Sequence, residues 1–103
     1  METSAIYAIS IPSQICFDIR LCPAAKLFYG EVARLCQEYG RCSLSNHYFA
    51  GLYQVTTKTV ATWINQLEEA GYLRIRYNES QQRLLYLEAL EEKPTTYQIS
   101  LNL

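Results

Sequence analysis

The 103-residue sequence predicts an α+β fold that is mainly α, and three patterns lead to this prediction. Apolar residues recur at three- and four-residue spacing in three stretches between Pro23 and Ala70, which is the period of amphipathic helices. Residues 73–77 alternate strictly between apolar and charged side chains, which is the period of a β-strand. Two shorter alternating stretches, residues 7–11 and 97–101, predict extra N- and C-terminal strands.

The first long helix is predicted to begin at Cys22-Pro23, because proline suits the first helical position, where an N–H has no partner. Gly40 is expected to end it as a C-terminal cap residue. Its apolar face is predicted to comprise Ala25, Phe28, Val32, Leu35, Cys36 and Tyr39.

Two further helices are predicted, separated by a three-residue break at residues 54–56. Ser45-Asn46 supplies N-cap chemistry for the first, which ends near Tyr53. Thr56 or Thr57 caps the second, which runs to about Ala70. Because the break is so short, the two helices are forced to cross steeply. Their facing apolar residues are expected to be Phe49, Leu52, Val55, Val60 and Ile64.

A β-hairpin follows, made of residues 73–77, a polar turn at 78–82, and residues 83–88. Leu73, Ile75 and Tyr77 are expected to point inward and the arginines outward. Residues 41–44 are a candidate additional strand. Three helices followed by this hairpin define a winged helix-turn-helix, in which the hairpin is the wing and the third helix presents its outer face to the DNA major groove.

The outer face of that third helix is small and polar, which suits close approach to base edges. Asn65 is suited to a bidentate pair with adenine, Thr59 or Thr62 to a thymine methyl, and Lys58 to phosphate or guanine. The wing arginines are expected to contact the DNA backbone or enter the minor groove. In the competing interpretation these residues do not bind DNA. The threonines and the asparagine then form a solvent-exposed helix face, and the arginines keep the edge of the sheet soluble. The predicted DNA-binding residues are Thr57, Lys58, Thr59, Thr62, Asn65, Arg74, Arg76 and Arg83. Trp63 is expected to pack under the wing rather than stack on a base.

The net charge of −1 favours an alternative, since free-standing DNA-binding domains usually carry a basic surplus. Residues 41–83 hold five basic and three acidic side chains, a surplus of two, whereas residues 84–103 are acidic. A protein-binding winged helix, such as a phage adaptor or inhibitor acting on host nucleic-acid machinery, is therefore the second hypothesis.

Enzymatic and metal-binding functions are not expected. His47 is the sole histidine and has no nucleophile or acid at a meaningful spacing, and the sequence lacks a glycine-rich phosphate loop. The four cysteines lack the two- to four-residue spacing of zinc ligands. We expect them to act as small apolar residues of the core. No cofactor, small-molecule substrate or membrane contact is predicted, and a cytoplasmic location is the default expectation.

The sequence resembles the helix-turn-helix domain at the N-terminus of phage and plasmid replication initiators. The resemblance rests on residues 23–32 (PAAKLFYGEV), Leu35-Cys36, Cys42, Ser45-Asn46, Phe49-Ala50, residues 59–68 (TVATWINQLE) and residues 71–74 (GYLR). It implies a winged helix that binds origin or operator DNA in a phage, plasmid or bacterial protein. Gln54 stands where that family usually has glycine, Cys22 where serine is frequent, and Thr62 where a basic residue is frequent.

The predicted organisation is an N-terminal extension with a short strand at 1–19, the winged helix at 20–88, and a linker with a C-terminal strand at 89–103. The last strand needs a partner, either residues 7–11 or a second subunit. A homodimer is a further candidate, because one module rarely covers enough DNA for high specificity, and the edges of residues 7–11 and 97–101 are its expected contacts. Since replication initiators generally continue into a further domain, the chain is expected to be a fragment or a small stand-alone protein.

Overall fold

A computed structural model describes residues 6–90 and 96–102 of the chain. The linker predicted at residues 91–94 lies outside the described residues. The elements follow one another as β1 (Ile6–Pro12), α1 (Ser13–Cys16), α2 (Pro23–Tyr39), α3 (Asn46–Tyr53), α4 (Thr57–Glu69), β2 (Leu73–Tyr77), β3 (Arg83–Leu87) and β4 (Thr96–Asn102). The α+β, mainly helical fold is confirmed, with the short α1 as an element that the sequence patterns did not predict.

Helix α2 is capped at both ends as predicted. Cys22 is the N-cap with extended backbone, and Pro23 takes the first helical position. Gly40 adopts a left-handed conformation with φ of 84° and donates its N–H to the carbonyl of Cys36 at 2.7 Å. The side chain of Phe28 is fully buried on the inner face, so α2 forms the central wall of the core.

The turn between α3 and α4 spans residues 54–56, as predicted. Gln54 is left-handed, with φ of 57° and ψ of 50°, and its N–H bonds to the carbonyl of Ala50. Thr56 then caps α4, since its Oγ1 accepts the N–H of Thr59 at 3.1 Å. A glutamine therefore adopts a backbone conformation that glycine reaches without a steric penalty.

Aromatic side chains join the three helices. The ring of Phe28 meets Phe49 edge-on at 4.9 Å between centroids, and Trp63 lies 5.7 Å from Phe28. Trp63 also meets Tyr53 edge-on at 5.6 Å. Trp63 is thus buried, but these ring contacts are made with α2 and α3 and not with the wing, under which it was expected to pack.

The wing is an antiparallel pair of β2 and β3, in which Arg74 lies opposite Tyr86 and Tyr77 lies opposite Arg83. Cys42 adds a bridge to the outer side of β3, exchanging both backbone hydrogen bonds with Leu85 at 2.9 and 2.8 Å. The candidate strand at residues 41–44 is therefore present as a single bridge.

The two terminal strands pair with each other. β1 and β4 are antiparallel, with Ile9 opposite Ile99 and Ile11 opposite Tyr97. Of the two partners considered for the C-terminal strand, the structure shows β1. The side chains of Ile9, Ile11 and Ile15 are buried in the same core as the helices, so β1 and α1 share the core of the winged helix.

The structure corrects four predicted orientations. Tyr39 and Tyr77 are each 65% exposed because each is the last residue of its element, beyond the edge of the core. Leu52 is 44% exposed because it lies at the margin of the buried face of α3, about 110° around the helix from the midpoint between Phe49 and Ala50. Arg83 does not point outward, since the strand register places it on the same sheet face as the buried Leu85.

The cysteines behave as residues of the core, as predicted. All four are free thiols; Cys42 is buried, and Cys16, Cys22 and Cys36 are half-buried against the core. Burial raises the pKa of Cys36 to about 11 and also raises the pKa of Cys42.

Residues 6–90 and 96–102 contain no group of three histidine, cysteine or acidic side chains arranged to hold a metal ion. Within the same ranges, no helix combines the length and the apolar character that crossing a membrane requires.

Candidate nucleic-acid interface

The outer face of α4 presents the predicted polar residues together. Lys58, Thr62 and Asn65 are exposed and follow one another at four- and three-residue spacing, so they form one row along the helix. Thr57 is exposed in the first turn of α4, on the flank of this row. The opposite side of α4 is anchored in the core through Val60, Ile64 and Leu67. The helix is therefore fixed with this row toward solvent.

The hydroxyls of Thr59 and Thr62 on α4 make local hydrogen bonds. The Oγ1 of Thr62 donates to the carbonyl of Lys58 at 3.1 Å. The Oγ1 of Thr59 lies 2.9 Å from the Oγ1 of Thr56, and Thr59 is half-buried. The structure thus places Thr62 in the exposed row, whereas Thr59 is hydrogen-bonded to Thr56, the N-cap residue of α4.

The three wing arginines have different surroundings. Arg76 is exposed, and its Nη1 donates to the carbonyl of the neighbouring Ile75 at 2.8 Å. Arg74 is half-buried and pairs with Glu88 at 3.0 Å, with its guanidinium carbon 5.3 Å from the ring centre of Tyr86. Arg76 therefore presents the most accessible of the three charges.

Arg83 is directed toward the beginning of α3. Its Nη1 donates to the Oδ1 of Asn46 and its Nη2 to the carbonyl of Leu44. Burial lowers the pKa of Arg83, because desolvation disfavours its charged form. Its half-buried guanidinium is bonded to the chain at the start of α3, in contrast to the exposed guanidinium of Arg76.

The tip of the wing is held by Asn78. Its Oδ1 accepts the backbone N–H groups of both Ser80 and Gln82 at 2.9 Å, and its Nδ2 donates to the Oε1 of Gln82 at 3.0 Å. Gln81 adopts a left-handed conformation with φ of 67°. Sequence reasoning treated this segment as a generic polar turn, although asparagine at its first position is a recognised turn signal.

Charge is distributed unevenly along α4. Its single basic residue, Lys58, lies in the first turn, whereas Glu68 and Glu69 lie in the last turn. The helix dipole places its positive end at the same terminus as Lys58. The N-terminal half of α4 is therefore the half that attracts an anionic partner.

A hydrogen-bond network beside the C-terminal end of α4 was not predicted from the sequence. Asp18 accepts hydrogen bonds from the backbone and guanidinium of Arg20 and, at 2.6 Å, from the hydroxyl of Tyr72. The guanidinium of Arg20 holds the pKa of Asp18 well below its usual range. Asp18 and Tyr72 are 54 positions apart, and no pattern of spacing relates them.

Comparison with known proteins agrees with this geometry. A family model described as a helix-turn-helix domain matches residues 20–73, which is more than half of the chain and includes α2, α3 and α4. Neither the curated proteins nor the solved structures contain a significant match to the sequence. The chain therefore belongs to the helix-turn-helix domain family.

Proposed function

We propose that this domain binds double-stranded DNA by inserting the N-terminal half of α4 into the major groove. The observation that carries the proposal is the row of Lys58, Thr62 and Asn65, which is exposed on a helix whose other side is locked in the core. Small polar side chains on such a helix allow its backbone to approach base edges closely.

Each residue of the row has a distinct proposed role. Asn65 pairs with adenine through its amide oxygen and nitrogen. The hydroxyl of Thr62 is already bound to the Lys58 carbonyl, and the role proposed for its methyl group is contact with a thymine methyl. Lys58 contacts a phosphate or guanine, and Thr57 contacts the adjoining phosphate at the positive end of the helix dipole.

The wing supplies backbone contacts in this proposal. Arg76 is exposed and contacts phosphate or enters the minor groove. Arg74 contributes less, because it must leave Glu88 to reach a phosphate. Thr59 contributes by holding the N-cap that orients Lys58.

The biological role that we propose is replication or transcription control in a phage, plasmid or bacterium, with origin or operator DNA as the target. The support is the resemblance of residues 23–74 to the N-terminal domain of replication initiators. Selection of bound sequences from a random duplex pool tests it, because repeated or palindromic sites are typical of origins and operators.

The binding mode is tested by fluorescence-anisotropy titration of a random-sequence duplex over a range of salt concentrations. We expect affinity to fall steeply with salt, and Lys58→Gln to flatten the logarithmic slope by about 0.9, the value for one phosphate contact. Arg41→Gln is the matched control, since it removes the same charge from an exposed position outside α4 and the wing. Absence of binding at low salt, or equal losses in the two variants, contradicts the proposal.

A protein-binding role is the second candidate, favoured by the loop between α1 and α2. Phe17 and Ile19 are 67% and 96% exposed, and Asp18 between them is fixed by Arg20 and Tyr72. Exposed apolar side chains on a loop that is held by hydrogen bonds are typical of protein contact sites. Specific capture of one host protein by the wild type, lost in an Ile19→Asp variant and retained in Arg76→Met, supports this role.

We further propose that the domain forms a homodimer through the free edge of β4. β1 contacts α2, whereas β4 contacts β1 and α1, so β4 is the outer strand. Neither seven-residue strand contains a charged residue, and an uncharged edge is a ready template for strand pairing. Sedimentation equilibrium tests this, since Gln98→Lys is expected to shift the protein to monomer.

A further inference from the structure

Arg83 is the first residue of β3, and it connects the wing to the beginning of α3. Its two terminal nitrogens donate to the Oδ1 of Asn46 and to the carbonyl of Leu44. Leu44 and Asn46 lie on either side of Ser45, the N-cap of α3. The guanidinium therefore holds the chain at the entrance to that helix.

Neighbouring contacts attach the same two segments. The Nε2 of Gln82 donates to the carbonyl of Ser43 at 3.3 Å. Cys42 and Leu85 exchange two backbone hydrogen bonds, at 2.9 and 2.8 Å. Residues 42–46 are thus bonded along their length to residues 82–85, and Arg83 supplies the side-chain bonds nearest to α3.

The interaction is poorly suited to a role in stability alone. Arg83 is half-buried, and its Nε is buried with no hydrogen-bond partner among the residues described. An incompletely bonded cation contributes little net stability, because desolvation offsets the hydrogen bonds that it makes. A buried polar group can instead specify one arrangement of two elements over others.

The two elements that Arg83 joins are the wing and, through α3, the proposed recognition helix. α3 and α4 are separated by three residues only, and the Thr56 cap begins α4 directly after the turn. Any change in the angle between the wing and α3 therefore changes the angle between Arg76 and the row on α4.

We propose that Arg83 is a positioning residue that sets the orientation of the wing relative to α4, and that it does not contact DNA. This inference rests on the proposed function. It differs from the sequence-based expectation, which assigned Arg83 to the DNA backbone together with Arg74 and Arg76.

Salt dependence distinguishes positioning from contact. A residue that contacts one phosphate changes the logarithmic salt slope by about 0.9 when its charge is removed. We expect Arg76→Met to change the slope by about this amount. We expect Arg83→Met to lower affinity about tenfold while changing the slope by less than half as much, because the loss is geometric. A slope change near 0.9 for Arg83→Met, or full affinity in that variant, overturns the proposal.

A double-mutant cycle with Asn46→Ala tests whether Arg83 affects DNA affinity through its hydrogen bond to Asn46. If Arg83 acts through Asn46, Arg83→Met lowers affinity less in the Asn46→Ala background than in the wild type. Arg83→Lys keeps the charge but cannot reproduce the two-pronged geometry of the guanidinium, so we expect it not to restore affinity. Additive losses in the cycle, or rescue by lysine, contradict positioning.

Hydrogen exchange in the absence of DNA separates this proposal from the proposed function. We expect Arg83→Met to increase exchange of the Cys42 and Leu85 amides, with Arg83→Lys as a second variant if the methionine variant does not fold. Unchanged exchange overturns positioning even if the wild type binds DNA. If Arg83→Met speeds exchange but the wild type does not bind DNA, Arg83 still connects the wing to the beginning of α3. In that case the proposed DNA-binding function is contradicted.

Discussion

Gln54 sits in a left-handed conformation with φ of 57° in the turn of the helix-turn-helix motif. A side chain with a Cβ is disfavoured there by about 1 to 2 kcal/mol, and glycine is not. We expect Gln54→Gly to raise the free energy of unfolding by up to about 1 kcal/mol, measured by urea denaturation.

Gly40 provides the matched comparison, since it has φ of 84° at the end of α2 and open space around it. Gly40→Gln is expected to lower the free energy of unfolding by about 1 kcal/mol, for the same steric reason. If the two substitutions change stability in the same direction, the strain assigned to the left-handed backbone is wrong.

Asp18 makes stability depend on pH. Its pKa is lowered in the folded state by the hydrogen bonds from Arg20, so the folded protein favours the carboxylate more than the unfolded chain does. Its contribution is fully present above its ordinary pKa of 3.8 and is lost as the pH falls below that value. We expect Asp18→Asn to reduce stability at pH 7 and to flatten the decline between about pH 5 and pH 2, measured by denaturation at each pH.

The exposed Glu69 supplies the control, because Glu69→Gln also removes one carboxylate from the sequence. Its stability profile is expected to parallel that of the wild type in acid. A profile for Asp18→Asn that matches the wild type contradicts the role of the Asp18 network.

At the scale of the elements, local signals predicted the helices well. The caps at Cys22-Pro23, Gly40, Ser45 and Thr56 each act on backbone groups within four residues, so their effect is visible in the sequence. The direction of Arg83 was not predictable in this way. It depends on the hairpin register and on the approach of residues 42–46 to β3, which are separated by about forty positions.

The candidate site likewise has features that local sequence patterns predict and features that depend on tertiary contacts. The row of Lys58, Thr62 and Asn65 follows from helical periodicity alone, and the structure places all three on one exposed face. The salt bridge between Arg74 and Glu88 depends on a tertiary contact, which the periodicity of the sequence does not predict.

Asn78 is expected to determine the rigidity of the wing as an element. Its Oδ1 accepts two backbone N–H groups in the turn, and an alanine leaves both without that acceptor. We expect Asn78→Ala to lower the free energy of unfolding by about 1 kcal/mol and to speed amide exchange at Ser80 and Gln82. Asn78→Asp keeps the acceptor and is expected to retain most of the protection; equal exchange in both variants contradicts the assigned role.

At the scale of the whole molecule, Gly30 connects the terminal sheet to the helical core. A Cβ at this position in α2 would lie 2.9 Å from the Cδ1 and 3.2 Å from the Cβ of Ile9 in β1. We expect Gly30→Ala to force β1 away from α2 and to lower the free energy of unfolding by about 1 to 3 kcal/mol.

Gly51 is the matched control for this substitution, because it lies in α3 with no atom within 4 Å of an added Cβ. Gly51→Ala is expected to raise stability by about 0.5 to 1 kcal/mol through helix propensity. If Gly30→Ala is equally stabilising, β1 does not pack on α2 as described.

The most direct test of the central claim is an NMR titration of the isotopically labelled protein with a selected DNA duplex, following the backbone amides. We predict the largest shift changes at residues 57–65 of α4 and at residues 76–82 of the wing, with those of the Phe17–Ile19 loop unaffected. Changes confined to that loop, or none at low salt, contradict the claim that the outer face of α4 binds duplex DNA.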